Sequence, residues 1–213
     1  MFKLKGVKFK DVLDIKESNI YEGEVTAIIG KSGSGKTTVL RLLNKMTSLD
    51  EGIILFKDRD IKDMDSIELR RKVQMLSQFP IIFKGTVRDN LNIGLKFMDE
   101  KPKSDDELKE ILKKVHLDKN LDEDSKNLSG GEKQRLCIGR ILLSNTEVFL
   151  FDEPSSSLDE DTEKIIISSL VNHIKSQGKT LIFVTHSLEM AYEYADRILE
   201  IVNKDLKEQK NAK

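Results

Sequence analysis

Eight residues near the amino end, Gly30-Lys31-Ser32-Gly33-Ser34-Gly35-Lys36-Thr37, have the types and spacing of a device for holding phosphate. They fit the pattern G-x-x-x-x-G-K-[ST], with the apolar run Val25–Ile29 before them and a helix-like stretch after them. Glycines are needed because backbone N–H groups must come close to phosphate oxygens, where a Cβ would intrude or bar the backbone angles. The N-terminus of the following helix adds partial positive charge aimed at an anion. In such a loop Lys36 reaches the β- and γ-phosphates, Thr37 is a ligand for Mg2+, and Thr38 stands beside them in the first helical turn. The plain alternative is a flexible Gly/Ser turn at a helix start. Strand, loop and helix falling in register speak against it.

A second group of residues suits the chemistry that such a loop would serve. Val148-Phe149-Leu150-Phe151 is apolar on both faces, as a central strand must be, and it ends in Asp152-Glu153. Open α/β sheets place ligands at the carboxyl ends of their strands. Asp152 is suited to hold Mg2+ through its water shell, and Glu153, pointing elsewhere, to polarise an attacking water as a general base. Acidic residues end many strands, so the pair alone says little. About 115 residues downstream of Thr37 it says much more.

Those residues need a scaffold, and the pattern along the chain supplies one. Phe2, Leu4, Val7 and Phe9 roughly alternate with lysines, predicting a half-exposed strand, and Val12, Leu13, Ile15 and Ile20 continue a strand-rich opening. Val25 to Ile29 is a buried strand, Thr37 to Met46 a helix, and Ile53 to Phe56 and Val73 to Leu76 are strands. From about Phe79 to Asn127 the texture changes: Pro80, Pro102, an apolar knot at Ile81-Ile82-Phe83 and an acidic helix over Asp105 to Val115 mark a helical insertion. A helix from Gly131 to Leu143, the strand Val148 to Phe151, helix Glu160 to Lys175, strand Thr180 to Val184, helix Leu188 to Ala195 and strand Arg197 to Val202 complete an alternating β/α order. Lys204 to Lys213 is polar and is expected to fray.

Composition sets the outer bounds. In 213 residues, 36 Lys+Arg nearly cancel 37 Asp+Glu, leaving a formal charge of -1 and no basic excess of the kind that a nucleic-acid binder shows. The single Cys137 excludes an intrachain disulfide and reads as a small buried hydrophobe in a reducing cytosol. His116 and His173 lack metal-ligand spacing and read as structural or solvated. No apolar run approaches the roughly 20 residues of a membrane helix, so any membrane role is expected to pass through a partner.

The run Leu128-Ser129-Gly130-Gly131-Glu132-Lys133-Gln134-Arg135 lies downstream of the complete phosphate loop. In this order the motifs resemble the nucleotide-binding subunit of ATP-binding-cassette (ABC) transporters, over nearly the whole chain. The resemblance implies an α/β P-loop NTPase core with a mainly parallel central sheet, an N-terminal antiparallel β subdomain and an inserted α-helical subdomain. One domain would fill 1–213: core and β subdomain over 1–78 and 146–203, helical subdomain over about 79–145, polar tail over 204–213. Gln78 matches the glutamine that contacts Mg2+ and the attacking water. Ser129, Gly130 and Gly131 match the signature segment that meets ATP held by a second copy. Asp159, in Ser156-Ser157-Leu158-Asp159, matches the key residue of the dimer-interface loop, and His186 the switch histidine that senses the γ-phosphate. Taken singly, Gln78 reads as a surface glutamine, His186 as a strand-end histidine and Asp159 as a helix N-cap.

The implied activity is ATP hydrolysis with Mg2+ in a head-to-tail homodimer. It would power a separate integral-membrane permease from the cytoplasmic face, with no nucleic acid involved. The other reading is a soluble, non-transport ABC ATPase of the iron–sulfur assembly type. Phe83-Lys84-Gly85-Thr86-Val87-Arg88-Asp89-Asn90-Leu91 is similar to the segment after the glutamine in many exporters. The lack of a module after the last strand argues against importers with a C-terminal sensing domain. Asp11 stands where the family often has an adenine-stacking aromatic residue. Phe9 is the nearest aromatic, and an inward strand position is its other reading.

Overall fold

The computed structural model describes residues 1–154 and 160–209. Its centre is a six-stranded sheet built from β3 (Val25–Ile29), β6 (Val73–Leu76), β7 (Val148–Asp152), β8 (Thr180–Val184), β9 (Arg197–Val202) and β10 (Asp205–Glu208), in the order β10-β9-β3-β8-β7-β6. All pairs are parallel except β9–β10. Strands β3, β7 and β8 are buried at every position, as strands covered on both faces must be. Alternation of side chains across the pleat splits each strand between two cores. Val25, Ala27, Phe149, Phe151, Leu181 and Phe183 face one of them, while Ile28, Val148, Leu150, Ile182 and Val184 face the other.

The second core is closed by helix α1 (Lys36–Leu43) and by a four-stranded antiparallel sheet, β2-β1-β4-β5. Its strands are β1 (Phe2–Phe9), β2 (Leu13–Ile20), β4 (Glu51–Phe56) and β5 (Arg59–Asp60). The short helix α2 (Ser66–Lys72) leads into β6. The first core takes in α3 (Val87–Phe97), α4 (Asp105–Lys114), α5 (Gly130–Leu142), α6 (Glu160–Ser176) and α7 (Leu188–Tyr194). The mainly parallel sheet, the antiparallel β layer and the inserted helices therefore stand as the sequence predicts.

One expectation needs correction. The stretch after Val202 does not begin as a frayed tail: Asp205–Glu208 pairs with β9 through a tight turn at Asn203 and Lys204, which have φ of 51° and 68°. Two consecutive left-handed residues make the hairpin turn that follows strand twist, and Leu206, 2% exposed, anchors the new strand. The apolar knot is divided between core and surface. Ile82 packs on the core, but Ile81 is 62% exposed and Phe79 77%.

The polypeptide around that knot is held from within. Asn90, wholly buried, donates to the carbonyls of Phe83 and Thr86 and to Ser125 Oγ, and accepts from Phe83 N–H. Arg140 of α5 donates through Nε to Asn90 O (2.7 Å), through Nη1 to Ile81 O (2.8 Å) and through Nη2 to Asn90 Oδ1 (2.8 Å), with its guanidinium over the Phe83 ring. Thr86 and Asp89 form a capping box that starts α3. Much of Phe83–Leu91 is thus explained by caps and anchors of the helical part. Burial lowers the Arg140 pKa, yet its planar fork satisfies three acceptors that a point charge could not. Arg140→Met should cost about 3 kcal/mol in urea unfolding, because three oxygens each lose a charged donor. A cost under about 0.5 kcal/mol would show that water replaces the guanidinium there.

Candidate active site

The phosphate loop leaves β3 at Gly30 and enters α1 at Lys36. Gly35, the N-cap of α1, has a φ of 101°, and a Cβ there would come within 2.9 Å of the Val12 and Leu13 side chains. It offers no capping side chain, and no acidic residue occupies the first turn. The first amides of α1 therefore remain free for an anion. Lys36 is 6% exposed, and its ammonium donates to the carbonyls of Gly30 (2.9 Å) and Lys31 (3.1 Å) across the loop. Desolvation lowers its pKa, with the charges of Glu153 and Asp152 pulling the other way. Ser34 Oγ is buried without a hydrogen-bond partner among the described residues, a donor that a phosphate oxygen would satisfy. Lys31, Ser32 and Gly33 are exposed at the loop's crest, and Thr37 and Thr38 are half-buried in the first turn.

The carboxylates arrive from β7. Thr37 Oγ1 donates to Asp152 Oδ1 at 2.8 Å, bringing two of the three proposed Mg2+ ligands to one point. Asp152 is 3% exposed; desolvation raises its pKa, and the neighbouring charge of Glu153 adds to the rise. Glu153 is bracketed: Gln78 Nε2 donates to Oε2 at 2.8 Å and His186 Nε2 lies 2.6 Å from Oε1. Its backbone has a φ of 49° immediately before Pro154, a region where non-glycine residues are rare and pre-proline residues rarer. This turn aims the glutamate away from the line of the strand. Thr37, Gln78, Asp152, Glu153 and His186 thus form one connected site with the loop. Asp159 lies outside the described residues.

Ser129, Gly130 and Gly131 are elsewhere. Ser129 caps α5 in a capping box with Glu132, its N–H donating to Glu132 Oε2 at 2.7 Å and its Oγ accepting from Glu132 N at 3.3 Å. Ser129 and Gly130 face solvent, and no hydrogen bond among the described residues joins the three to the phosphate loop of their own chain. Phe9 is half-buried against the β-layer core with the Lys10 ammonium 5.3 Å from its ring, and Asp11 pairs with Lys204. Sequence reading missed Gln134. It is wholly buried in α5 and donates to Pro154 O at 3.1 Å. The signal was a polar residue on the helix face that carries Cys137 and Ile138.

Comparison with known proteins decides the family. The ABC transporter family model matches residues 13–156, more than half of the chain. The chain belongs to the ABC transporter family. The cassette is 37% identical over 191 residues to ABC transporter I family member 17 of Arabidopsis thaliana, covering 89% of this chain and 72% of that protein. It is 38% identical over 192 residues to a methionine import ATP-binding protein of Clostridium tetani, covering 88% of this chain but only 60% of that protein. Among solved structures, a dimeric ATP-binding cassette in a post-hydrolysis state bound to ADP and Pi superposes with a TM-score of 0.86 at 29% identity, over 99% of this chain and 98% of the other. An ATP-bound bacterial Atm1-family ABC exporter matches 97% of this chain with a TM-score of 0.86 at 29% identity, and this chain covers 38% of it. The cassette is accordingly an ATP-binding ATPase domain of α/β fold.

The buried Asp152 predicts a trade between stability and activity. Its pKa is raised in the folded cassette, so the ionised carboxylate costs stability above that pKa, and the cost disappears as pH falls toward the ordinary value of 3.8. Asp152→Asn keeps an oxygen to accept from Thr37. Without nucleotide it should raise Tm at pH 7, by less as pH is lowered, while ATP turnover falls at least about 100-fold. A lower Tm at pH 7 would mean that ionised Asp152 is a net stabiliser.

Proposed function

We propose that this cassette is the ATP-hydrolysing subunit of a transporter, driving a separate membrane permease through a head-to-tail dimer with two composite sites. The carrying observation is the bracketed carboxylate of Glu153 beside the Thr37–Asp152 pair, with Ser129 and Gly130 facing solvent. Oxygen donors suit a hard cation, and Thr37, Asp152 and Gln78 are the residues that would hold Mg2+. When bound, Mg2+ offsets negative charge on the β- and γ-phosphate oxygens.

Glu153 takes the proton of a water oriented by Gln78. The water oxygen bonds to the γ-phosphorus as the bond to the bridging oxygen breaks, and that oxygen leaves with ADP. Lys36 and the α1 amides hold the β- and γ-phosphates, and His186, on the other oxygen of Glu153, touches the γ-phosphate. Ser129 serves the partner's ATP. Its Oγ already accepts from Glu132 N, which leaves the O–H proton free to donate to a γ-phosphate oxygen. Each γ-phosphate bridges two chains, so hydrolysis opens the dimer. Asp159 belongs to the same dimer interface by family resemblance.

The permease would dock at the apolar surface beside Gln78, where Phe79, Ile81 and Phe97 are 77%, 62% and 59% exposed. Among the described residues no helix is long and apolar enough to cross a membrane, so attachment to the inner face would pass through that contact. Relatives named for transport favour this reading over a soluble assembly ATPase. The permease chooses cargo and direction, since a protein named for methionine import and a structure named an exporter share this cassette fold.

Glu153→Gln keeps size and loses the base. With Mg-ATP this variant should run as a dimer in sizing chromatography, with ADP as a monomer, and kcat should fall at least about 100-fold. Turnover near the parent rate would remove Glu153 as the base.

Composite sites make a separate forecast. Ser129→Arg and Lys36→Ala should each be inactive alone, yet their mixture should regain part of the ATPase activity where a single intact site turns over, because one heterodimer site carries both lesions and the other neither. Full activity of Ser129→Arg alone would show that this segment does not meet ATP across an interface.

A further inference from the structure

A wholly buried glutamine usually satisfies both ends of its amide. Gln134 does not. Its Nε2 donates to Pro154 O at 3.1 Å, whereas its Oε1 is buried with no partner among the described residues. A methionine would fill the same volume without that cost, so packing alone does not explain a glutamine here. The bond crosses from the inserted helical part to the core, and it lands on the carbonyl of the residue next to Glu153.

Glu153 needs such a support. Its left-handed backbone before a proline persists only if its surroundings over-determine it. On its amino side the backbone N–H donates to Val184 O at 3.2 Å, and Gln78 and His186 hold the carboxylate. On its carboxyl side, the described tie is Gln134 to Pro154 O, and the proline ring fixes φ, one of the two backbone angles between that carbonyl and the peptide that follows the glutamate. At its other end Gln134 is joined to Ser129 by less than two turns of continuous helix, about 7 Å along the axis, and the capping box fixes Ser129 to that helix.

We infer that Gln134 is a positioning residue that carries closure of Ser129 on the partner's ATP to this chain's own Glu153. The inference rests on the composite-site reading above. When α5 seats against the partner's γ-phosphate, the Nε2–H bond sets the Pro154 peptide and with it the glutamate. The base of each site is thus aligned by occupancy of the other, which makes hydrolysis cooperative in ATP.

The test uses the full chain and four readouts: kcat, KM, the Hill coefficient for ATP, and Tm. Gln134→Met removes the donor and the orphaned acceptor together. Its kcat should fall about tenfold with KM within about twofold, its Hill coefficient should fall toward 1, and its Tm should not drop. In the Glu153→Gln background it should still form the Mg-ATP dimer, which separates alignment of the base from closure itself. Gln134→His, whose Nε2–H lies where the amide nitrogen lies, should recover most of the rate. If Gln134→Met does not fold, Gln134→Leu, which is apolar and lacks the donor, takes its place. A kcat within twofold of the parent with an unchanged Hill coefficient overturns the inference, as do parallel losses of kcat and Tm that histidine does not rescue. Failure of the composite-site reading shows differently, as full activity of Ser129→Arg.

Discussion

A phosphate tail of several negative charges must be met from many directions at once, and the hydrogen bond from Thr37 to Asp152 marks where the chain arranges this. It joins residues 115 apart in sequence. Around it, four neighbouring strands of the parallel sheet deliver their carboxyl ends: β3 gives the phosphate loop, β8 gives His186, β7 gives Asp152 and Glu153, and β6 gives Gln78. Register does the fine placement. Asp152 pairs with Val184 and Leu76 with Phe151, so Glu153 leaves its strand level with His186 and Gln78. An antiparallel sheet would send every second strand the other way, and the site would lose half its members.

Such convergence works against stability. Lys36 and Asp152 are desolvated, α1 begins without a side-chain cap, and Glu153 sits in an unfavourable backbone region. The three helices of the insertion are started differently. α3, α4 and α5 each open with a reciprocal capping box, Thr86 with Asp89, Ser104 with Glu107 and Ser129 with Glu132. Capping satisfies helix amides locally. It is withheld at α1, where the ligand itself is to satisfy them, and the fully buried strands around the site supply the compensating packing.

What could be read from the chain follows the range of the forces involved. The phosphate loop and the β7 carboxylates were legible because local rules write them: glycines for close backbone approach, and an unbroken apolar run for a strand covered on both faces. Gln78 and His186 came only through family resemblance, since a lone glutamine or histidine carries no local signature. Their joint grip on Glu153 is a product of sheet order, which strand patterns do not state. The β10 hairpin escaped notice because Asn203-Lys204 lacks the glycine that advertises such turns, and one buried residue, Leu206, is too little pattern to reveal a strand. The exposure of Phe79 and Ile81 was equally hidden, because an apolar run reads as core unless its surroundings are known.

Helix α5 shows what the inserted part contributes beyond a surface. Over thirteen residues it presents Ser129 to solvent, holds the Pro154 carbonyl through Gln134, and holds the Ile81 carbonyl through Arg140, with Cys137 Sγ 3.4 Å from that same oxygen. Pro154 follows the glutamate, and Ile81 lies in the loop that starts at Gln78. Glu153 and Gln78, which holds its carboxylate, are therefore each tethered, a few peptides away, to one rigid rod. A helix resists compression along its axis far better than a loop does, because every turn is closed by its own hydrogen bonds. Displacement at its exposed end has little room to dissipate before it reaches either tether. The same physics that makes the helix a good spacer would make it a good transmitter, in the proposed dimer, between a neighbouring nucleotide, Glu153 and the apolar face beside Gln78.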